Sequence, residues 1–196
     1  MSERLIMSLA AAAALFAASG ARAENPHPHG GLLAQTDIEF GGDSVATVAF
    51  DDGDTQNVHA GQGLSLGLGG YFRPNPEGPF EIDAVLGFKY VTTAASNADI
   101  NISRMVFKLN GMWRFDPGWF VGAGLTHHMS PELDGDGFFE DVPFDDATGF
   151  SAEVGWRWIA LRYTKIEYSN EFIEDVDASS IGLSFTWRFG GSRGGY

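Results

Sequence analysis

The stretch Ser180-Ile181-Gly182-Leu183-Ser184-Phe185-Thr186-Trp187-Arg188-Phe189 decides the fold of this chain. Large apolar residues alternate through it with small or polar residues, and a period of two is the pattern of a β-strand. All the large apolar side chains therefore lie on one face. That face is too uniform and too aromatic for an ordinary edge strand near a C-terminus. It indicates a strand that meets a continuous apolar environment.

Seven other segments show the same alternation. They are Leu32–Phe40, Gly63–Phe72, Phe80–Val91, Ser103–Phe115, Trp119–His128, Gly149–Trp158 and Ala160–Tyr168. Their polar faces hold glycines and full charges, which need one another and some water, whereas their apolar faces are rich in Leu, Phe and Trp. Strands of about ten residues that are apolar outside and polar inside are typical of transmembrane barrels. Closure is required, because an open sheet edge in hydrocarbon leaves backbone groups unpaired. The sequence predicts an all-β fold, a closed antiparallel eight-stranded transmembrane β-barrel.

The N-terminus predicts a cleavable secretory signal peptide over residues 1–23. Arg4 precedes the apolar run Leu5–Ala18, and Ala21-Arg22-Ala23 supplies small residues for cleavage before Glu24. A short periplasmic leader over 24–31, the barrel over 32–189 and a flexible glycine-rich tail over 190–196 complete the expected domain organisation. The chain has no cysteine, which excludes a disulfide framework and a lipoprotein anchor.

The connections between the predicted strands alternate in length and differ in charge. Arg73–Pro79, Asp116–Gly118 and a bend near Trp158 are short, whereas Gly41–Gln62, Thr92–Ile102, Met129–Thr148 and Ser169–Ser179 are long. Short turns face the periplasm and long loops face outward in this class of barrel. The long loops contain 16 of the 26 acidic residues and no Lys or Arg. With a net charge of −14 and no basic surface to meet phosphate, a nucleic-acid partner is excluded.

Two sets of side chains follow from the strand pattern. The first is one interfacial aromatic girdle beside the short turns and the C-terminus, formed by Trp113, Trp119, Trp156, Trp158 and Trp187. The second is a charge network on the inward faces, formed by Asp37, Glu39, Glu81, Asp83, Lys89, Arg104, Lys108, Arg114, Glu153, Arg157, Arg162 and Arg188. Eight strands leave an interior that side chains roughly fill. The charge network therefore predicts a salt-bridged plug, with a selective channel as the alternative.

The last strand resembles the terminal strand of bacterial outer-membrane barrels, in which a polar residue, a glycine and late aromatics form an assembly signal. Ser180, Gly182, Phe185, Trp187 and Phe189 match that pattern. The whole mature chain resembles the small eight-stranded outer-membrane proteins of the OmpA/OmpX type. The resemblance implies a multi-pass protein of a Gram-negative outer membrane with both termini in the periplasm. It implies as partners the barrel-assembly machinery, membrane lipid and lipopolysaccharide, and a monomeric state.

Three functions fit such a barrel. The first is a non-enzymatic structural or surface-interaction protein with acidic extracellular loops, without a cofactor. The second is a narrow channel or carrier for small solutes. The third is an enzyme acting on outer-leaflet lipid, because His128-x-Ser130 resembles the His-x-Ser pair of lipid A deacylases, although Pro131 departs from that family. A serine hydrolase needs a base within hydrogen-bond reach of the nucleophile.

The third long loop has the spacing of half a calcium-binding loop. Glu132, Asp134, Asp136 and Glu140 supply carboxylates, as in the first part of an EF-hand, but Pro143 stands where the twelfth, bidentate ligand belongs. The sequence predicts at most weak calcium binding at these residues. Apolar residues in the same acidic loops either pack loop on loop or form a contact patch for a ligand. These residues are Phe138, Phe139, Val142, Phe144, Phe172 and Ile173.

Overall fold

The computed structural model describes residues 29–49, 55–92, 100–137, 140–172 and 175–189. The regular structure in these ranges is β throughout. Its strands are β1 (Gly30–Phe40), β2 (Ser44–Ala49), β3 (Thr55–His59), β4 (Gly63–Phe72), β5 (Phe80–Thr92), β6 (Asn101–Phe115), β7 (Trp119–Asp134), β8 (Val142–Pro143), β9 (Ala147–Trp156), β10 (Ile159–Lys165), β11 (Glu167–Tyr168), β12 (Val176–Asp177) and β13 (Ser180–Phe189).

Eight of these strands form one closed antiparallel sheet. Their order is β6-β5-β4-β1-β13-β10-β9-β7, and β7 pairs back onto β6. The first and last strands of the barrel are joined over nine residue pairs, from Leu32 opposite Phe189 to Phe40 opposite Ile181. Every barrel strand therefore has two neighbours, and no edge is left inside the sheet. This confirms the predicted eight-stranded closed barrel.

Strand bounds agree with the sequence pattern for β4 and β13 and extend beyond it for β6 and β7. The strand predicted to end at His128 continues to Asp134, where it pairs with β8. Polar residues flank that extension, so hydrophobic alternation alone does not mark it. The predicted signal peptide and the C-terminal tail lie outside the described residues.

The sequence also placed the end of β9 two residues too late. Trp156 pairs directly with Ile159, so Arg157 and Trp158 form a two-residue hairpin turn. Arg157 adopts a left-handed φ of 57°, which such tight turns require. The alternation of apolar and polar residues continues through Trp158 because Trp158 in the turn and Trp156 in the strand are both exposed on the outer surface.

The two faces of the barrel are opposite in character. Outward side chains along the strands are apolar and exposed, with Leu66 62%, Leu68 72% and Phe150 71% accessible. Inward side chains are polar or charged and buried, including Asp37, Glu81 and Arg162, each at or below 1%. A water-soluble barrel has the reverse arrangement, so this surface is one that contacts lipid. The described residues contain no helix that is long and apolar enough to cross a membrane.

Glycine in β13 allows close contact between the strands that close the barrel. A Cβ atom placed on Gly182 would overlap the backbone oxygen of Ile38 on β1. Gly182 also stands opposite Arg162 on β10 and Glu39 on β1, so its missing side chain leaves room for these two charged groups. The glycine of the predicted assembly signal thus has a packing role of its own.

The described parts of the long loops lie at one mouth of the barrel, which we call the long-loop end; the opposite mouth is the short-turn end. At the long-loop end, buried apolar residues form a second core, here named the loop core. Its members are Val58, Ala60, Ile100, Ile102, Leu133, Phe144, Ala147, Ile166, Tyr168 and Ala178. Because burying an aliphatic side chain contributes roughly 1.5–3 kcal/mol, this core holds the loops together over the lumen.

Replacing Leu183 tests which face meets lipid. Leu183 is exposed in the middle of β13, between Ile38 and Leu161. Leu183→Arg should lower the free energy of unfolding by about 2–4 kcal/mol, the cost of arginine near the bilayer midplane. Urea unfolding in phosphatidylcholine vesicles, followed by tryptophan fluorescence, measures it. Leu183→Met is the control. Equal stability of the arginine and methionine variants would mean that this face is in water.

Candidate functional site

The lumen at the short-turn end is organised around one buried carboxylate, Glu81, which has no exposed side-chain surface. Its two oxygens accept hydrogen bonds from Arg73 Nε at 2.7 Å, Arg114 Nη2 at 2.6 Å and Arg188 Nε at 3.0 Å. Arg188 also donates through Nη2 to Asp83 Oδ2 at 2.6 Å. We call these five residues the lower cluster. Two carboxylates thus balance two of the three guanidinium charges, and the remaining charge is stabilised by the partial exposure of the arginines at the turn.

The lumen toward the long-loop end holds three more ion pairs, which we call the upper cluster. Lys89 pairs with Glu39 at 2.8 Å, Arg162 with Glu153 at 2.8 Å, and Lys108 with Asp37.

Hydroxyl groups on neighbouring strands add hydrogen bonds to two of these carboxylates. Ser65 Oγ donates to Asp37 Oδ2 at 2.7 Å, and Ser180 Oγ donates to Glu39 Oε1 at 2.9 Å. Buried ion pairs are stable when such additional hydrogen bonds satisfy the remaining lone pairs.

Arg104 differs from the other lumen cations. It is 1% exposed, and in the described part of the chain it forms no ion pair within 4.0 Å; it donates through Nη2 to the backbone oxygen of Gln62 at 2.9 Å. It lies opposite a β-bulge, because Ser103 pairs with Glu132 while Met105 pairs with Met129. Arg104 therefore binds the base of the first long loop instead of a carboxylate.

The structure places the predicted charge network in the lumen, with one correction. Asp37, Glu39, Glu81, Asp83, Lys89, Arg104, Lys108, Arg114, Glu153, Arg162 and Arg188 all lie there. Arg157 does not. It is exposed in the β9–β10 turn, where its guanidinium stacks 4.4 Å above the Trp156 ring and its N–H donates to Gly118 O at 2.8 Å.

Sequence reasoning missed Arg73, which it assigned to a turn. Arg73 follows the last residue of β4, and its side chain turns back into the lumen to reach Glu81. Charge counting gave no signal for it, because Arg114 and Arg188 already match Glu81 and Asp83 in number.

The five tryptophans all lie at the short-turn end and are 40–53% exposed. Trp119 pairs with Trp156 across neighbouring strands, and the Trp158 ring stacks on Phe185 with centroids 5.8 Å apart. The girdle therefore includes Phe185 of the terminal strand. The Phe185 ring in turn stacks on the Trp187 ring, with centroids 6.5 Å apart. Trp158 and these two residues of the predicted assembly signal therefore form one aromatic row.

The candidate hydrolase pair is separated by the β-bulge. His128 is buried and its Nδ1 lies 2.5 Å from the Tyr168 hydroxyl, whereas Ser130 is exposed with φ 47° and donates its N–H to Asp146 Oδ1. The extra residue of the bulge turns Ser130 out of the lumen. His128 is thus hydrogen-bonded to Tyr168 of the loop core. The His128 and Ser130 side chains are not arranged as base and nucleophile.

Beside the Asp37–Lys108 pair, the lumen holds a small cavity of about 10 Å³. Polar residues lining it include Gln35, Asp37 and Lys108, and its volume is that of a single water molecule. The arrangement as a whole is a plug of ion pairs under a cap of packed loops.

The third long loop uses several of its carboxylates internally. Asp134 Oδ1 accepts from Asp136 N at 2.9 Å, and Asp141 Oδ1 accepts from Gly135 N at 3.1 Å. Among the described residues, no group of three or more His, Asp or Glu side chains is placed to hold a metal ion. Weak calcium binding at Glu132, Asp134, Asp136 and Glu140 stays a prediction.

In the fourth loop, hydrogen bonds from Ser179 lower the pKa of Asp177 below its usual range.

Comparison with known proteins found solved structures that resemble this chain at low sequence identity. Neisserial surface protein A is 14% identical, with a TM-score of 0.48 over 84% of this chain and all of that one. Ail, the attachment invasion locus protein of Yersinia pestis, is 9% identical, with a TM-score of 0.45 over 81% of this chain and 97% of that one. No protein-family model matches the chain, and no curated protein does. Its own closed sheet, apolar outer face and charged lumen make the chain a small transmembrane β-barrel.

Removing Glu81 tests whether the lower cluster stabilises the barrel. Glu81→Ala leaves Arg114 without its carboxylate partner and Arg188 with Asp83 alone, and removing one partner of a buried ion pair costs about 3–5 kcal/mol. We expect a corresponding fall in the free energy of unfolding, measured by urea titration in vesicles. Glu77→Gln, an exposed position in the same turn region, is the control and should change stability by less than about 0.5 kcal/mol. Equal effects of the two substitutions would show that the cluster is dispensable.

Proposed function

We propose that this protein is a non-enzymatic, closed barrel of a Gram-negative outer membrane whose acidic loops interact with molecules at the cell surface. The long-loop end faces outward and both termini face the periplasm. The observation that carries the proposal is the ion-paired plug, in which the Asp37–Lys108 and Glu81–Arg188 pairs each join strands three apart around the barrel. A lumen filled in this way supports a role at the surface over a role in passage.

The loops support the same assignment. Barrels that serve as pores conduct through their interior. In this chain the largest described structure outside the barrel strands lies at the long-loop end, in the loop core and in the β2–β3 and β11–β12 hairpins. Connecting loops that are held on a rigid scaffold are the usual carriers of binding function. The outer surface is also strongly acidic, so partners bearing positive charge are favoured over nucleic acid or other polyanions.

The remaining partners follow from the barrel itself. The outward apolar face, with exposed residues such as Leu68 and Phe150, fits membrane lipid and, in the outer leaflet, lipopolysaccharide. Phe185 and Trp187 sit in the aromatic row at the short-turn end, where they meet the assembly machinery while they also anchor the membrane interface. Because the barrel closes on itself without an unpaired edge strand, a monomer is self-sufficient.

Conductance measurement separates the surface role from the channel alternative. Purified protein in planar phosphatidylcholine bilayers should give no steady single-channel current in 1 M KCl, because ion pairs occupy the lumen. Protease digestion of parallel vesicles verifies insertion, since the barrel strands are protected. Steady, large currents from the unaltered protein would overturn the closed-lumen proposal.

Mass spectrometry of lipid A from cells with and without the protein tests the enzyme alternative. The two samples should show identical acyl patterns, and a lost acyl chain would overturn the non-enzymatic part of the proposal.

A further inference from the structure

We propose that a cleft at the long-loop end binds a short peptide segment that carries both basic and apolar side chains. This inference rests on the surface-interaction role proposed above and names its partner class. The cleft opens between the first, third and fourth long loops and has a volume of about 500 Å³. That volume lies within the range of small-ligand sites and admits a few side chains, not a folded domain.

The cleft has an apolar floor and an acidic rim. Its floor consists of Leu133 and Phe144 of the loop core, together with the partly buried Val45, Val142 and Val176, and its rim consists of Asp43, Ser44 and Asp175. Among the described residues, no basic side chain lines it. An apolar floor takes aliphatic or aromatic side chains, and carboxylates at the mouth take ammonium or guanidinium groups. Long basic side chains meet both demands, because their stems are apolar and their ends are charged.

Hydrogen bonds between the loops hold the cleft in shape. Asp43 N donates to Asp177 O at 2.7 Å, and Asp177 N donates to Asp43 Oδ2 at 2.9 Å, which joins the first loop to the fourth. Asp145 N donates to Ser169 O at 2.8 Å, which joins the third to the fourth. Asp175 holds a left-handed φ of 61°, and such backbone strain persists where the surroundings fix it. A site formed in advance loses less entropy when a ligand binds.

An exposed aromatic residue beside the cleft favours a peptide over a small amine. Phe172 is 91% exposed, and its N–H donates to Asn170 Oδ1 at 2.9 Å. Asn170 Nδ2 donates in turn to Pro143 O at 3.0 Å, and Pro143 lies between the cleft residues Val142 and Phe144. This turn ties Phe172 to the third loop, which supplies three residues of the cleft. An extended segment with alternating side chains reaches the cleft and Phe172 together, whereas a single small amine occupies the cleft alone.

Binding of synthetic peptides to the full chain tests the inference. The probe is a fluorescein-labelled octapeptide that alternates Lys with Leu, measured by anisotropy against protein in phosphatidylcholine nanodiscs, with empty nanodiscs subtracted. We expect saturable binding. An octapeptide alternating Lys with Ser should bind at least fivefold more weakly, because it lacks apolar side chains. One alternating Glu with Leu should not bind.

Matched variants distinguish the cleft from the acidic surface as a whole. Asp43→Asn/Asp175→Asn should weaken binding at least fivefold, and Ser44→Trp should do the same by filling the mouth. Glu132→Gln/Glu140→Gln removes the same charge from exposed positions outside the cleft and should change affinity less than twofold. Equal losses in the two double variants, unchanged binding by Ser44→Trp, or equal affinity of the Lys-Ser peptide would each overturn the cleft assignment. Those outcomes leave the conductance and lipid A results intact, so failure of the cleft and failure of the closed, non-enzymatic barrel are told apart.

Discussion

Complete pairing of the backbone inside hydrocarbon is the constraint from which the rest of this structure follows. A strand in lipid has no water to satisfy its N–H and C=O groups, so the sheet must close, as it does between β1 and β13. Closure with eight strands fixes a narrow interior, and the alternation of the strand then forces half of all side chains into it. Lipid takes the apolar half. The polar half, including charged residues that cannot face lipid, must be satisfied within the lumen.

The ion pairs form because closure of the sheet forces charged side chains into a narrow lumen. Moving charges out of water is costly, and a well-packed apolar interior is often as stable as a buried ion pair. An apolar interior, however, would make both faces of every strand hydrophobic, and the sequence would no longer specify which face turns outward. One residue of slip exchanges the two faces. Charges such as Glu81 and Arg162, each nearly inaccessible, therefore fix register as well as contributing stability. The hydroxyls of Ser65 and Ser180 donate hydrogen bonds to the upper-cluster carboxylates of Asp37 and Glu39.

The sequence predicts this barrel well where the alternation of apolar and polar residues follows the alternation of lipid-facing and lumen-facing positions. Phe80 to Val91 and Ser180 to Phe189 alternate so regularly that inward Glu81, Asp83 and Arg188 follow from position alone. It fails where backbone geometry departs from the period. The left-handed turn at Arg157 removes that residue from the lumen, and the bulge opposite Arg104 separates His128 from Ser130. Neither event changes composition or spacing. The outer cleft is equally invisible in one dimension, because Asp43, Leu133 and Asp175 come from three loops joined by long-range hydrogen bonds.

The division of charge explains why interaction concentrates at one end of the molecule. Lipid covers the outward face and ion pairs occupy the lumen, so neither surface is available to a partner in solution. The long loops carry no Lys or Arg, and repulsion among their carboxylates opposes packing. The loop core, centred on residues such as Ile102 and Tyr168, offsets that repulsion and keeps the acidic groups at the surface. Because exposed charges are screened beyond about 8–10 Å at physiological salt, a basic partner is held by the carboxylates it touches. Local geometry at the cleft, not the total charge of −14, therefore sets its selectivity.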